Sequence, residues 1–265
     1  MGCSGFVHLV GAGPGDPELL TVKAQRLLRE ADVLVYDRLV AAEILALVPD
    51  GVSRIFVGKE PGRHHVPQAE INQMLVRLAR GGHRVVRLKG GDPLVFGRGG
   101  EEALHLARAG VPFEIVPGIT AAVACAAYAG IPVTHRGLAR GVQLVTGHCQ
   151  ADAPLELDWR ALADPQLTLV IYMGLAQLGQ LRDGLLGAGR EPATPAALIE
   201  RGTTPAQRRV LATLGELPER ARSERIRSPA LAIVGAVVEL AERLDWFHPR
   251  AETAAVARGE SSSAG

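Results

Sequence analysis

Five short apolar runs in the first half of the chain end, one after another, on glycine or on a charged residue. They are Phe6–Val10 into Gly11, Val33–Tyr36 into Asp37 and Arg38, and Arg54–Val57 into Gly58 and Lys59. Val85–Leu88 then runs into Gly90 and Gly91, and Phe113–Val116 into Gly118. Runs this short and this continuously apolar suit strands buried on both faces, as in a parallel sheet covered by helices. Between them the apolar spacing turns helical over 18–31, 68–80 and 101–109. The alternation predicts an α/β fold. In such folds ligands bind beyond the carboxyl ends of the strands. The fourth exit is the richest, Gly90-Gly-Asp-Pro93 followed by Gly97, Gly99 and Gly100. Two glycine clusters with Asp92 and Arg98 among them exceed what a plain strand–helix turn needs and read as a ligand loop.

The first exit, Gly11-Ala-Gly-Pro-Gly-Asp-Pro17, resembles a dinucleotide fingerprint but fails it. The third glycine position is Asp16, and Pro14 and Pro17 remove N–H donors that a pyrophosphate would use. NAD and FAD are therefore set aside. Asp37 and Arg38 suit a site and equally a solvated strand end. Adjacent His64 and His65 have no acidic or Cys partner at ligand spacing, so no metal site is expected. Thr120 is placed to cap a small-residue helix over 121–129, in which Cys125 reads as packing.

The segment 131–140 is a basic connector and a candidate domain junction. Beyond it, 142–146 and 167–172 read as strands, the second ending in Met173-Gly174, and 175–186 as a helix. Paired strands are expected over 196–200 and 208–214, then a last strand over 231–238 leading to a short helix near Trp246. From Pro249 the composition turns to Ala, Glu, Arg, Ser and Gly, a disordered tail by expectation. The chain thus divides into 1–137, 138–248 and a tail, 249–265.

With 29 basic and 28 acidic residues the net charge is +1, which supplies no global field for nucleic acid. Three scattered cysteines, Cys3, Cys125 and Cys149, fit neither zinc nor a disulfide framework and point to a reducing cytoplasm. No signal peptide and no membrane span are expected. A Gly-x-Ser-x-Gly elbow, a Walker loop and His-Glu-x-x-His are all missing. What remains is glycine-rich backbone, Asp37, Lys59 and the arginines Arg38, Arg63, Arg98, Arg136 and Arg140. Such a set suits a polyanion and the transfer of a group that arrives already activated.

The motifs Val10-Gly-Ala-Gly-Pro-Gly-Asp-Pro17, Tyr36-Asp-Arg-Leu-Val40, Val57-Gly-Lys59 and Arg87-Leu-Lys-Gly-Gly-Asp-Pro93 resemble those of the tetrapyrrole methylases. So do Phe96-Gly-Arg-Gly-Gly100, Val116-Pro-Gly-Ile-Thr-Ala121 and Tyr172-Met-Gly-Leu175. The resemblance covers about residues 6 to 245 and departs at Glu60, where a basic residue is expected. It implies two α/β domains with S-adenosylmethionine (SAM) in the cleft between them, in a homodimer. It places Pro14, Gly90, Gly91, Asp92, Val95, Thr120, Ala121, Met173 and Gly202 in the SAM pocket, Asp37 as proton acceptor and Lys59 as proton donor. Tyr36-Asp-Arg-Leu-Val40 with Gly58-Lys59 points to members that methylate uroporphyrinogen III twice, through precorrin-1, to precorrin-2. S-adenosylhomocysteine is then the second product, and precorrin-2 leads on to siroheme or cobalamin. The arginines would meet the substrate carboxylates. The extra module of fused siroheme synthases is not expected here, so dehydrogenation and iron insertion would fall to other proteins. The competing expectations are a family member acting on a later corrin intermediate, and a non-catalytic SAM- or tetrapyrrole-binding regulator.

Overall fold

The computed structural model describes residues 5–58, 66–148 and 155–248. The first half alternates strands and helices: β1 (Phe6–Gly11), α1 (Val22–Glu30), β2 (Val33–Tyr36), α2 (Ala42–Leu45), β3 (Ser53–Phe56), α3 (Gln68–Arg80), β4 (Arg84–Lys89), α4 (Gly99–Arg108), β5 (Phe113–Val116) and α5 (Ala121–Tyr128). All five strands are parallel, in the order β3-β2-β4-β1-β5. Both faces are covered. Leu27, Leu28 and Ile44 from α1 and α2 pack on one, and Ile71, Leu75 and Leu106 from α3 and α4 on the other. That double cover explains why the strands read as unbroken apolar runs. Because the strands are parallel, all five exits emerge at one edge.

β1 and β4 are neighbours in the middle of this sheet, yet their following helices lie on opposite faces. The loops therefore diverge and leave a crevice, the topological switch point of an open α/β sheet.

The second half gives β6 (Gly141–Thr146), α6 (Trp159–Leu162), β7 (Leu167–Tyr172), α7 (Leu178–Gly187), β8 (Pro195–Glu200), β9 (Arg208–Thr213), α8 (Leu217–Ser223) and β10 (Ala230–Val234). They form a second sheet, β6-β7-β10-β8-β9, in which only β6 and β7 are parallel. α7 and α8 cover one face. The other face is covered by α5, whose Ala122, Cys125 and Ala126 pack against Val170, Ile199 and Ile233. Small side chains let this helix approach the sheet closely. α5 follows the last strand of the first sheet but is buried on the second, so it joins the two.

Three expected elements change shape. The helix over 18–31 is split: Asp16 caps a short 3-10 turn at Pro17–Leu19, Leu20 is extended, and Thr21 caps α1 by accepting from Ala24 N. Two capping side chains in one stretch start two helices. The helix over 175–186 likewise divides into a 3-10 turn at Leu175–Gln177 and α7. The strand over 231–238 stops at Val234, because Gly235 takes φ 149° and the chain turns into a 3-10 helix, Ala236–Leu240. That 3-10 helix falls mostly within the expected strand, and the short helix expected near Trp246 is not formed: 241–244 are turn and Trp246 lies in coil, donating Nε1–H to Ala127 O at 2.8 Å. The tail over 249–265 lies outside the described residues.

Candidate active site

Four loops meet beyond the carboxyl edge of the first sheet. The loop after β1 is tied to the loop after β4 by a two-bond bridge, Gly13 N to Gly91 O at 3.1 Å and Gly91 N to Gly13 O at 2.6 Å. The loop after β5 presses on the same point. A methyl group on Gly118 would overlap the carbonyl oxygen of Gly91, and one on Gly11 would stand 2.5 Å from Gly118 N. Backbone packed this closely admits no side chain. Asp92 locks the arrangement, accepting from Leu94 N at 2.8 Å with Oδ1 and from Gly118 N at 3.1 Å with Oδ2. Val95 closes the turn, its N–H reaching Asp92 O.

The second sheet supplies the opposite wall. Tyr172, the last residue of β7, places its hydroxyl 2.6 Å from Thr120 Oγ1 and accepts from Ala122 N at 2.8 Å. Thr120 does sit at the N-cap position of α5, but its side chain makes no capping bond; the cap comes from Tyr172 instead. Burial raises the Tyr172 hydroxyl above the ordinary tyrosine range, so it stays protonated. Phe96 packs against the Tyr172 ring at a 53° tilt, with centroids 4.9 Å apart. Met173 follows at once, half exposed. Gly91, Thr120 and Ala121 thereby lie close together, with Met173 next in the chain to Tyr172. A methyl group on Gly91 would stand 3.8 Å from Ala121 N, in the space before the first turn of α5.

Gly15, beside Pro14, lies against the loop that holds Gly202: a methyl group on it would stand 3.4 Å from Gly202 O. Asp16 N donates to Thr203 Oγ1 at 3.2 Å, Tyr128 donates its hydroxyl to Asp16 Oδ2 at 2.8 Å, and Gln207 Nε2 reaches Tyr128 O at 3.1 Å. Gly202 lies against the Cys125 side chain. Cys125 is buried and its thiol is pushed up to about 12, in keeping with packing. Non-glycine residues in the left-handed region gather here: Phe96, Arg98, Met173, Arg201 and Thr203. Each such conformation costs of the order of 1–3 kcal/mol, and such strain concentrates at ligand clamps.

Gly90 packs on Leu39, just beyond Asp37. Asp37 accepts from Leu39 N at 3.1 Å with Oδ1, and its Oδ2 meets Arg87 Nη2 at 3.4 Å. Behind it lies a buried charge cluster that sequence reasoning passed over. Arg87 donates Nε–H to Glu102 Oε1 at 3.1 Å, and Lys89 Nζ reaches the same oxygen at 3.1 Å. The signal was available: two cations, at 87 and 89, flank Leu88 in a run that must be buried. Tyr172 was also passed over, as part of a strand.

The candidate arginines are dispersed. Arg38 is exposed next to Asp37. Arg98 is exposed at the start of α4 and held bidentately by Glu101, at 2.8 and 2.7 Å. Arg136 is exposed in the turn leading into β6. Arg140 pairs with Asp164 at 3.0 Å at the opposite end of the second sheet from Met173, so it is not brought to the crevice. Lys59, Arg63, His64 and His65 lie outside the described residues. Among the described residues, no group of His, Cys, Asp and Glu could hold a metal ion.

Fold and site together define an α/β protein of two five-stranded sheets with a glycine-lined crevice where they meet. Residues 7–218 match the family model of the Tetrapyrrole (Corrin/Porphyrin) Methylases, and the chain belongs to that family. Among solved structures it is similar to uroporphyrin-III C-methyl transferase from Thermus thermophilus complexed with S-adenyl homocysteine. That likeness has 48% identity and a TM-score of 0.77, covering 89% of this chain and 94% of the other. It is also similar to a cobalt precorrin-4 methyltransferase, with 30% identity and a TM-score of 0.78 over 88% and 95% of the two chains. A siroheme synthase of Azotobacter vinelandii is 55% identical over 93% of this chain and 53% of its own length. The chain spans about half the length of the curated relatives it matches.

Proposed function

We propose that this chain is a SAM-dependent C-methyltransferase that adds two methyl groups to uroporphyrinogen III, through precorrin-1, to give precorrin-2 and S-adenosylhomocysteine. The observation that carries the reading is the close approach of the Gly91 loop to the first turn of α5, where Thr120 meets Tyr172 just before Met173, in a chain 48% identical to a uroporphyrin-III methyltransferase complexed with S-adenyl homocysteine. The cobalt precorrin-4 enzyme has the same fold at 30% identity, so the fold alone does not choose the substrate; the higher identity and Tyr36-Asp37-Arg38 favour uroporphyrinogen III.

SAM supplies a sulfonium methyl, an electrophile strong enough for an electron-rich pyrrole carbon. The protein's task is alignment. Pro14, Gly90, Gly91, Asp92, Val95, Thr120, Ala121, Met173 and Gly202 would hold the donor, mostly through backbone. Asp37, at the tip of β2 with its side chain 25% exposed, accepts the proton released as the methylated ring rearranges. Lys59 is its partner as proton donor. Arg38 and Arg98, both exposed, suit carboxylates of the substrate. A division into two domains at 137/138, a homodimer and a cytoplasmic setting belong to the same proposal. Among the described residues no helix is long and apolar enough to cross a membrane.

Incubation with SAM and uroporphyrinogen III tests it. Mass spectrometry should find two methyl groups on the macrocycle and two equivalents of S-adenosylhomocysteine. An unmodified macrocycle would remove the proposal.

A further inference from the structure

We propose that Glu102 is a positioning residue for Asp37: it is the buried counter-charge that leaves Asp37 free at the crevice. The inference rests on Asp37 being the proton acceptor.

Arg87 and Lys89 are two residues apart on β4, so both point to the face covered by α3 and α4. Their side chains are 3% and 4% exposed, and Glu102, brought over them by α4, is 0% exposed. One oxygen of Glu102, Oε1, accepts from Arg87 Nε, Lys89 Nζ and Gln68 Nε2, each at 3.1 Å. Arg87 Nη1 reaches Leu88 O at 3.1 Å. Among the described residues Arg87 meets Asp37 through Nη2 alone, at the longer distance of 3.4 Å, and Asp37 keeps its second oxygen on the loop at Leu39 N.

The charges explain this arrangement. Two buried cations face two carboxylates, one fully buried and one at the crevice. A buried charge without a counter-ion is strongly unfavourable. With Glu102 ionised, the cations are served from inside and Asp37 is only grazed. Without that charge, Asp37 is the carboxylate left in contact with Arg87 and is drawn inward as a structural ion pair. It then takes up a proton less readily.

Lys89 gives the inference a distinctive pH dependence. Burial, and then the Arg87 charge, hold its ammonium below the usual lysine range, while Glu102 and Asp37 oppose that. Among the described residues the groups facing it are Arg87 from its own strand, Glu102 and, further off, Glu101 from α4, and Asp37 from the loop after β2, with the neutral Gln68 amide of α3 on the same Glu102 oxygen. If Glu102 is neutralised, Lys89 loses a counter-ion and releases its proton more readily as pH rises, which restores the balance.

The test compares the full chain with Glu102→Gln, with Asp37→Asn and with Glu102→Gln/Asp37→Asn. SAM affinity is read by calorimetry, and turnover of uroporphyrinogen III from about pH 7 to about pH 9. Glu102→Gln should lose about tenfold or more in turnover near neutrality, with SAM affinity unchanged and the deficit shrinking as pH rises. On the Asp37→Asn background the same change should cost no more than about threefold of the residual turnover, because Glu102 acts through Asp37. Wild-type turnover in Glu102→Gln would overturn the proposal. So would a deficit independent of pH, one matched by an equal loss of SAM affinity, or an equal loss on both backgrounds. Should Glu102→Gln fail to fold, Glu102→Asp, which keeps the charge but draws it back from Arg87, takes its place in the same comparison: a loss that vanishes on the Asp37→Asn background supports the proposal, and no loss or an equal loss on both overturns it. Failure of the underlying reading shows separately, as a wild type without product or an Asp37→Asn variant at full speed.

Discussion

Tyr172→Phe removes one oxygen that serves two partners across the junction of the sheets. Ala122 N–H belongs to the first turn of α5, where amides have no partner within the helix. Losing such a cap costs about 0.5–2 kcal/mol. The bond to Thr120 Oγ1 adds about 0.5–1.5 kcal/mol. The site is only partly buried, so water recovers some of both, and the sum settles near 2 kcal/mol. The Phe96 packing is retained, because the ring is unchanged. For a chain of this size each kcal/mol moves Tm by about 2–4 °C, so the variant should melt about 4–8 °C lower. Its affinity for S-adenosylhomocysteine should fall by about threefold to tenfold, because the first turn of α5 borders the proposed donor site. Scanning calorimetry and titration calorimetry measure the two. A melting point within about 1 °C of the wild type, with unchanged affinity, would refute the argument that Tyr172 fastens α5 to the second sheet.

Other outcomes follow from the same geometry. Gly118→Ala drives a methyl into the Gly91 carbonyl and should cost about 1–3 kcal/mol in thermal melts, with weaker SAM binding. Asp92→Ala deletes the acceptor for Leu94 N and Gly118 N, and titration calorimetry should show weaker SAM binding. Asp37→Asn should keep SAM affinity and lose turnover; a fully active variant would end its role. Burial, and then the bond to Asp16, raise the Tyr128 hydroxyl to about 12 in the folded state, against about 10 unfolded. The unfolded chain therefore loses that proton first, and this part of the stability is complete below about pH 10 and lost between about pH 10 and pH 12. Urea midpoints should fall less over that range in Tyr128→Phe than in the wild type.

The strand exits were legible because parallel strands leave all their carboxyl ends on one edge. Five apolar runs ending on glycine or charge therefore forecast five strand exits on one edge. The bounds of α3 and the pairing of β8 with β9 were legible for local reasons. Gln68–Arg80 carries a clean amphipathic stripe between Pro67 and Gly81, and Arg201–Gln207 is a turn-rich break between two apolar runs. What escaped depends on partners distant in the chain. Nothing near Thr120 says that Tyr172 will cap its helix, 52 residues on. Nothing in the uniformly apolar helix α5 says which sheet it will cover. Arg87 and Lys89 could be seen as charges in a buried strand, but Glu102 became their counter-ion only when α4 folded over β4. The split helix at 17–30 failed for a local reason: two capping residues, Asp16 and Thr21, were read through as one apolar periodicity.

A crystal structure of the chain with S-adenosylhomocysteine tests the central claim most directly. The expected result is a ligand seated where the two sheets meet, touching backbone at Gly91, the first turn of α5 at Thr120 and Ala121, and Met173. A ligand bound elsewhere on the chain, with these three segments making no contact to it, would contradict the account.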